Sequence, residues 1–528
     1  MSTRKSTATL GLILALAGFS AGQPAKPTPL SLEECILRAI KYNAGVTVEI
    51  LNPEIAALSV AQAREKFLPT LSFSYNREQR NSASYSWIES SDRMTIAGTE
   101  YSARISQVIP TGGTVSVSLD AYSNETNARF QTINPRYGST LNFSFSQPLL
   151  KDFGFKASRQ QILVARNNSR ISENDFKDIL LETVYEVERA YWNLVLSIES
   201  LKVQELSLHQ AEELLEKNRK EIAIGTMAPR EILSAEAEVA RRRTDILQAV
   251  ALVKDYKDQV RTLINLEDDV EPVDIVPSDQ PLFEKRDVSF EGAVAAAAKN
   301  RPDLMASRID IENRALELSY ARNQLLPALN LNAGYWSPGL SGTRILYLND
   351  NPLTGVILGK IAGESSEALK DALNFKYRNW SLSLSLDVPL NTVFTRAAVA
   401  RAKLSHDQSA RRLKYAEQKA LLEIRTAVRA VETDYQRVES SRIAGDLARR
   451  KLEAEEAKLK AGLSSNFFIL EYQKDLAQAR VAELMAIIDY RLSLARLDKA
   501  MGVSLDARNI KLAGASQDAG RDSAGERP

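Results

Sequence analysis

The sequence is poor in the residues that build metal centres and disulfide frameworks. Among its 528 residues are one cysteine, Cys35, and two histidines, His209 and His406. A single cysteine cannot form an intramolecular disulfide or a cysteine-based zinc or iron–sulfur site. Neither histidine has a second histidine or a cysteine at metal-ligand spacing. We therefore expect no metal and no cofactor, and because no nucleophile or acid pair stands at a catalytic spacing, no enzyme activity.

The chain also lacks an excess of charge of either sign. Its 68 lysine and arginine residues nearly balance 67 aspartate and glutamate residues, which gives a formal net charge of +1. Binding to phosphate backbones requires a concentrated basic surface. We therefore expect no nucleic-acid partner.

Long apolar runs are absent outside the N-terminus. Arg4 and Lys5 precede the apolar segment 8–17, and Ser20-Ala21-Gly22 supplies small residues for cleavage. This pattern predicts a signal peptide over residues 1–22, and hence export, followed by an N-terminal linker over residues 23–30. No later stretch has 18 uninterrupted apolar residues, so we expect no transmembrane helix in the mature chain.

What the sequence does contain is an internal duplication. At a constant offset of 258, residues 31–76 match residues 289–334 without a gap, and a second offset of 237 relates Ile232-Leu233 to Ile469-Leu470. Prolines among acidic residues between the two copies indicate an extended connector. The predicted organisation is a first repeat at 31–266, a connector at 267–288, a second repeat at 289–512 and a disordered polar tail at 513–528.

Each repeat holds two segments in which apolar and hydroxyl-bearing residues alternate, as in Trp380–Asp387. The strands are expected near residues 69–78, 139–147, 328–336 and 379–388. A soluble sandwich would produce such alternation, and so would a transmembrane β-barrel with lipid on one face and water on the other.

The remaining segments predict very long helices. Residues from about Ser158 to Ile224 include no proline or glycine, and at 1.5 Å per residue they span roughly 100 Å as one helix. Apolar residues at 3-4 spacing, as in Ile424 to Val438, indicate coiled-coil packing. Glycine-centred turns at 223–229 and 460–466 join the long helices. An exported coiled-coil scaffold or tether would explain these helices, but it leaves the strand pairs and the signal peptide unexplained.

In combination, these segments resemble the TolC-like outer-membrane efflux protein family. The resemblance covers about residues 31–506 and rests on recurring junctions between elements. These junctions are Ala63-Arg64 followed by Leu68-Pro69, strands ending in Gln147-Pro148-Leu149 or Val388-Pro389-Leu390, and tip turns followed by Ile-Leu.

The resemblance implies a fold class and a role. The fold is mainly α with β: tandem-duplicated coiled-coil helices form a periplasmic α-barrel, and each chain adds a four-strand share of a trimeric transmembrane β-barrel in the cell outer membrane. The implied partners are two further copies of the chain in a homotrimer, a periplasmic adaptor (membrane fusion) protein, an inner-membrane pump and outer-membrane lipid. The implied role is a passive exit duct of a tripartite efflux or type I secretion system.

The strand count supports an assembly. Four strands cannot close a barrel, since roughly eight is the minimum and open edges are not tolerated in lipid, whereas three chains would supply twelve. A further hairpin candidate within residues 99–122, around Pro110-Thr111-Gly112-Gly113, is additional to this count. It is either an extracellular extension, which we favour, or an enlargement of the barrel.

The resemblance also places functional residues at the tip turns. Adaptor docking is expected at Gly225, Thr226, Met227, Gly462, Leu463 and Ser464. The family carries acidic residues six and nine positions after the tip glycine, and this sequence matches with Glu231 in one repeat and Glu471 in the other. We expect Glu231 and Glu471 to line the pore constriction, and Phe468, which departs from the family pattern, to add an apolar constriction.

Aromatic residues flank the predicted strands. Tyr75, Trp336, Tyr377 and Trp380 are expected near the boundary between membrane and water, where an apolar ring with a polar handle is favourable. Ordinary strand packing is the alternative.

Overall fold

A computed structural model describes residues 27–86, 92–224, 230–266, 274–461 and 463–510, with only the backbone described for Pro27, Thr28, Arg230 and Glu231. The chain forms two compact units. The helical unit comprises Met1–Val46, Thr183–Asp287 and Arg429–Arg496, and the sheet unit comprises Thr47–Glu182, Val288–Val428 and Leu497–Pro528. The predicted signal peptide and tail therefore lie outside the described residues.

The described residues are mainly helical, which confirms the predicted fold class. The helices are α1 Leu32–Tyr42, α2 Ala44–Glu49, α3 Leu51–Glu65, α4 Phe155–Ser158, α5 Gln160–Ala223, α6 Arg230–Leu263, α7 Phe290–Asn300, α8 Pro302–Asn323, α9 Ser365–Leu373, α10 Val393–Lys460, α11 Asn466–Met501 and α12 Ser504–Ala507. The strands are β1 Pro27–Leu30, β2 Thr70–Ala83, β3 Arg93–Val108, β4 Thr114–Thr126, β5 Ile133–Pro148, β6 Asp274–Pro277, β7 Ala328–Tyr347, β8 Ile357–Ile361 and β9 Asn379–Asp387.

The duplication is visible in the bounds of the elements. Helix α7 repeats α1 at the offset of 258, and α10 ends 237 residues after α5 ends. The caps repeat as well: the Ser31 hydroxyl accepts from the Glu34 backbone at the start of α1, and the Ser289 hydroxyl accepts from the Gly292 backbone at the start of α7. Each hydroxyl satisfies a backbone N–H that the first helical turn leaves unpaired.

The described residues of the sheet unit form a seven-stranded sheet. Its strand order is β2-β3-β4-β5-β7, after which β7 pairs with β8 at one end and with β9 at the other. All of these pairings are antiparallel. The expected strands near 69–78, 139–147, 328–336 and 379–388 correspond to β2, β5, β7 and β9, and three of them run further than the sequence indicated.

The additional hairpin lies in the same sheet as the four predicted strands. Its strands β3 and β4 pair with each other, and they also pair with β2 and β5 along most of their length. The chain therefore contributes six long strands and the short β8, rather than four. The sequence did not decide this point because Met94 and Ile96 fall at polar-face positions and interrupt the alternation in the upper part of β3.

The predicted N-terminal linker, 23–30, forms a strand in its described part. Strand β1 pairs in parallel with β6, which lies in the connector between the repeats. The hydroxyl of Tyr191, which is fully buried in α5, lies 2.8 Å from the Asp279 carboxylate and 3.1 Å from the Leu30 carbonyl and shares its single proton between these two acceptors. Burial raises the pKa of Tyr191, so this hydroxyl stays protonated as a donor.

Residues 283–286 of the connector are held by side chains of the second repeat. The Tyr490 hydroxyl donates to the Glu284 carbonyl at 3.1 Å and accepts from the Arg286 backbone at 3.0 Å. Phe283 packs between the rings of Tyr435 and Tyr490. Two buried tyrosines from different repeats thus hold the extended connector in the helical unit, which replaces the backbone hydrogen bonds that its prolines cannot make.

One helical stretch is more apolar than the sequence analysis indicated. By length and composition alone, the helical stretch Ala44–Glu65 could cross a membrane. In α3, Leu51, Ile55 and Leu58 recur at helical spacing and are at least half exposed. A face of this kind is suited to packing against a further chain.

Candidate functional site

The sheet has one continuous apolar face. Apolar side chains alternate along each of the six long strands, and the strand registers bring them side by side. They are Leu71, Phe73 and Tyr75 of β2, Tyr101, Ala103 and Ile105 of β3, Val115, Val117 and Leu119 of β4, Leu141, Phe143 and Phe145 of β5, Leu329, Leu331 and Tyr335 of β7, and Trp380, Leu382, Leu384 and Leu386 of β9. Phe73 is 75% exposed and Leu384 is 63% exposed, which is unfavourable in water but favourable against hydrocarbon.

The opposite face is polar and cross-linked by side-chain hydrogen bonds. The Asp120 carboxylate of β4 accepts from the hydroxyls of Ser102 in β3 and Ser118. Between neighbouring strands, the Ser116 and Ser144 hydroxyls lie 2.6 Å apart, and the Ser146 hydroxyl donates to the Asn332 side chain at 2.8 Å. Hydroxyl and amide groups of this kind are suited to a surface in contact with water.

The four predicted boundary aromatics do not share one face. Tyr75 and Trp380 lie on the apolar face, where Tyr75 contacts the Tyr101 ring with centroids 5.2 Å apart. Tyr377 is exposed just before β9. Trp336, in contrast, lines a concave part of the polar face together with Asn142, on the opposite face from Trp380. The parity of β7 explains this, since Trp336 is an even number of residues from Asn330 and Asn332.

This difference predicts an unequal response to lipid quenchers. Proteins that retain Trp380 alone or Trp336 alone are reconstituted into vesicles of brominated phospholipid. We expect strong quenching of Trp380 fluorescence and little quenching of Trp336, because only Trp380 stands on the apolar face. The two variants serve as controls for each other, and equal quenching of both would contradict the assignment of the two faces.

At the other candidate site, the ends of the two helical hairpins meet. The helix pairs α5–α6 and α10–α11 share a buried cluster of Ala211, Leu214, Leu215, Ala235, Val239, Leu452, Ile469, Leu470 and Leu476. The Asn466 amide donates to the Asn218 side chain at 2.6 Å, and both residues are buried. A buried amide pair of this kind favours a single register between the hairpins, since either partner left alone would remain unsatisfied.

Several of the predicted docking residues lie outside the described part of the chain. These are Gly225, Thr226 and Met227 in the first turn and Gly462 in the second. The flanking helix ends place the turns, because α5 ends at Ala223 and α6 begins at Arg230, while α10 ends at Lys460 and α11 begins at Asn466.

The remaining docking residues, Leu463 and Ser464, have different environments. The Leu463 backbone donates to the Lys458 carbonyl at 2.9 Å, while its side chain is 79% exposed. The Ser464 hydroxyl donates to the Glu455 carboxylate at 2.6 Å, and Lys458 lies 3.0 Å from its other oxygen. These two contacts, Ser464 first, lower the pKa of Glu455. Ser464 therefore closes the helix end, and Leu463 is left available for contact.

The structure places two of the three predicted constriction residues on one side of α11. Phe468 and Glu471 are exposed, whereas Ile469 and Leu470 between them are buried in the cluster. Glu231 lies in the first turn of α6, with only its backbone described. The two acidic positions are thus each near the start of the helix that follows a tip turn.

Sequence reasoning missed an exposed apolar group at these helix ends. Ile224, Leu233 and Phe467 are each more than half exposed, and the Phe467 ring lies 5.6 Å from the Phe468 ring. The signal was available as apolar residues beside the tip glycines, in positions that a solvated helix end would fill with polar residues.

Comparison with known proteins gives a family match over most of the chain. Residues 100–266 and 293–503 match the family model described as "Outer membrane efflux protein". A curated relative, "Nodulation protein T" of Rhizobium leguminosarum bv. trifolii, is 22% identical over 304 residues. That match covers 57% of this chain and 59% of the relative, so less than two thirds of the relative's length is spanned.

Solved structures agree in fold. The Campylobacter jejuni CmeC outer membrane channel superposes with a TM-score of 0.60 at 16% identity, over 99% of this chain and 97% of that chain. The Neisseria gonorrhoeae MtrE outer membrane channel in its open state superposes with a TM-score of 0.60 at 19% identity, over 91% of both chains. A CusC structure gives a TM-score of 0.62 at 15% identity, over 95% of this chain and 99% of that chain.

Proposed function

Because the chain belongs to the outer membrane efflux protein family, we propose that three copies of it form a passive exit duct in the outer membrane. The duct receives its cargo from a periplasmic adaptor and an energy-coupled inner-membrane pump, in efflux or in type I secretion. The observation that carries this proposal is a sheet with one apolar and one polar face, a pattern that β2, β5, β7 and β9 share. Such a sheet separates lipid from water, and a duct of this kind needs no catalytic group.

The edges of the sheet favour a trimer over a monomer. Within the described residues, β2 has a partner strand on one side only, and so does β9. Six strands are too few to close a barrel, and unpaired backbone groups are costly in hydrocarbon. Pairing of β2 in one copy with β9 in the next satisfies both edges and closes the ring.

The helix ends are suited to adaptor docking. Leu463 and Phe467 present apolar surface beside a helix end that is already closed by the Ser464–Glu455 hydrogen bond. Exposed apolar groups with a polar surround are typical of protein interaction sites. We propose that the adaptor contacts the residues of both tip turns, namely Gly225, Thr226, Met227, Gly462, Leu463 and Ser464.

The acidic residue near the start of each following helix, Glu231 in α6 and Glu471 in α11, is suited to a constriction. Three copies of Glu231 and Glu471 around a threefold axis would form carboxylate rings, which attract cations and raise their own proton affinity. Phe468, on the same exposed side of α11 as Glu471, would narrow the opening with an apolar ring. The duct would then select by charge and size at its helical end.

Charge removal at these positions should change ion selectivity. In planar bilayers, we expect the double variant Glu231→Gln plus Glu471→Gln to lose cation preference and block by multivalent cations, because the carboxylate rings are neutralised. Asp475→Asn is the matched control, since Asp475 lies one turn along α11 but pairs with Lys451 at 3.4 Å. If the double variant keeps the conductance, selectivity and block of the unmodified protein, these glutamates do not line the constriction.

A further inference from the structure

The hairpin β3–β4 crosses the whole sheet. Its turn, residues 109–113, lies at the end of the sheet where β5 leads into the helices. There, the Gly154 backbone donates to the Thr111 carbonyl at 3.0 Å, and the Thr111 hydroxyl donates to the Gln147 side chain at 2.8 Å. Gly112 has a φ of +94°, and a β-carbon there would lie 2.4 Å from the Asp152 carbonyl oxygen, so the fit requires glycine.

The hairpin also continues both faces of the sheet. On β3, Ile105 lies between Leu71 of β2 and Val117 of β4 on the apolar face. On the polar face, Ser106 lies between Thr70 and Ser116 in the same pairings. A one-residue slip would exchange the faces, and the registers show no such slip. The two strands therefore have the same amphipathic construction as their neighbours.

The hairpin is also needed to connect the sheet. Strand β2 pairs with β3 and strand β5 pairs with β4, while β2 and β5 do not pair with each other in the strand order of the described residues. If the hairpin stood outside a membrane wall, the inner edges of β2 and β5 would be left unpaired in lipid, where each unsatisfied backbone group costs several kcal/mol.

We propose that β3 and β4 are membrane strands, so that three copies close a barrel of eighteen strands rather than twelve. This inference rests on the proposed trimeric duct and specifies its wall: six long strands from each copy. Because barrel diameter grows roughly linearly with strand number, the lumen is about one and a half times as wide as that of a twelve-strand barrel. The outer-membrane exit then admits bulkier cargo, and size selection is left to the helical end of the duct.

The added strands require no added helices. Strand β3 returns directly into β4 through the turn at 109–113, whereas β2, β5, β7 and β9 each connect to a helix at this end. The barrel is thereby widened without any change in the number of helices that each copy supplies.

Spin labels on adjacent residues test this proposal. In a Cys35→Ala background, single cysteines replace Ile105 and Ser106 in β3, and Phe143 and Ser144 in β5 for comparison. The labelled full-length protein is reconstituted in lipid vesicles, and collision rates with oxygen, concentrated in lipid, and with a water-soluble nickel chelate are measured. We expect oxygen to be favoured at 105 and 143 and nickel at 106 and 144.

Comparison of the labels in β3 with those in β5 distinguishes failure of the eighteen-strand barrel from failure of the proposed duct. Nickel-favoured collisions at both 105 and 106, with alternation kept at 143 and 144, would overturn the eighteen-strand barrel and leave the duct intact. Loss of alternation in both strands would overturn the duct as well. Electron cryomicroscopy of the unlabelled trimer in nanodiscs provides a second measurement that depends on no variant. Eighteen strands in cross-section support the proposal, and twelve contradict it.

Discussion

The substitution Leu384→Arg should remove most of the protein from the outer membrane. Leu384 lies in the middle of the apolar series of β9 and is exposed on that face. An arginine on the lipid face near the bilayer midplane costs about 2–4 kcal/mol per copy, and a trimer carries this cost three times. We expect at least a tenfold drop in the trimer recovered from the outer-membrane fraction.

Ser383→Arg is the matched control for this change. Ser383 is the neighbouring residue and lies opposite Asn332 on the polar face. Because that face meets water in the proposed duct, the same substitution there should leave the amount of membrane trimer nearly unchanged. Equal amounts of trimer for both variants would show that the face bearing Leu384 does not contact lipid.

The substitution Leu463→Arg should abolish export while leaving the trimer assembled. The Leu463 side chain is almost fully exposed, and its helix end is closed by backbone and Ser464 contacts that the substitution leaves in place. Folding is therefore spared. An arginine in an apolar docking contact is unfavourable because its charge must be desolvated. We expect a loss of export of tenfold or more, which corresponds to about 1.4 kcal/mol or more in adaptor binding.

The control for this prediction is another exposed leucine. Leu353 is 71% exposed in the loop between β7 and β8. Leu353→Arg adds the same charge at a similarly exposed leucine, and export should remain intact. Thr226→Arg tests the equivalent position of the first tip turn. Normal export with both tip substitutions would indicate that the turns only reverse the chain and do not bind the adaptor.

The sequence predicts the repeated parts of the fold well, because they depend on local pattern. The offset of 258 that relates Leu68-Pro69 to Leu326-Pro327 also relates α1 to α7. The end of α5 at Ala223 and of α10 at Lys460 falls at the predicted tip turns. Helix caps, proline and glycine act over a few residues, so these boundaries can be identified without knowledge of the tertiary contacts.

Features that depend on contacts between residues far apart in the chain could not be predicted from the sequence in the same way. Strand β1 requires β6, which is far away in sequence, and four residues carry too little pattern to indicate a strand alone. The placement of β3 and β4 in the sheet depends on pairing with β2 and β5. Trp336 is a different case, because the alternation of β7 already placed it with Asn330 and Asn332 on the polar face, and only its aromatic type suggested the boundary.

The exposed apolar residues at the helix ends are also hard to identify from local sequence pattern. Phe467 and Leu463 are not fixed by the fold of one chain, since their side chains are mostly exposed. Their contacts would come from a partner, so neither helical periodicity nor core packing identifies them. The sequence places Leu463 at the tip turn, but the exposure of Phe467 is recognised only when the structure shows which residues of α11, such as Ile469 and Leu470, are already buried.

Native mass spectrometry of the protein extracted from cells tests the central claim most directly. Membranes are separated into inner and outer fractions, the protein is purified from each fraction and from the soluble periplasm in mild detergent, and the mass of the intact particle is measured. The proposed duct predicts a particle of three mature chains, recovered from the outer-membrane fraction. A stable monomer, or a protein found mainly in the soluble periplasmic fraction, would contradict it.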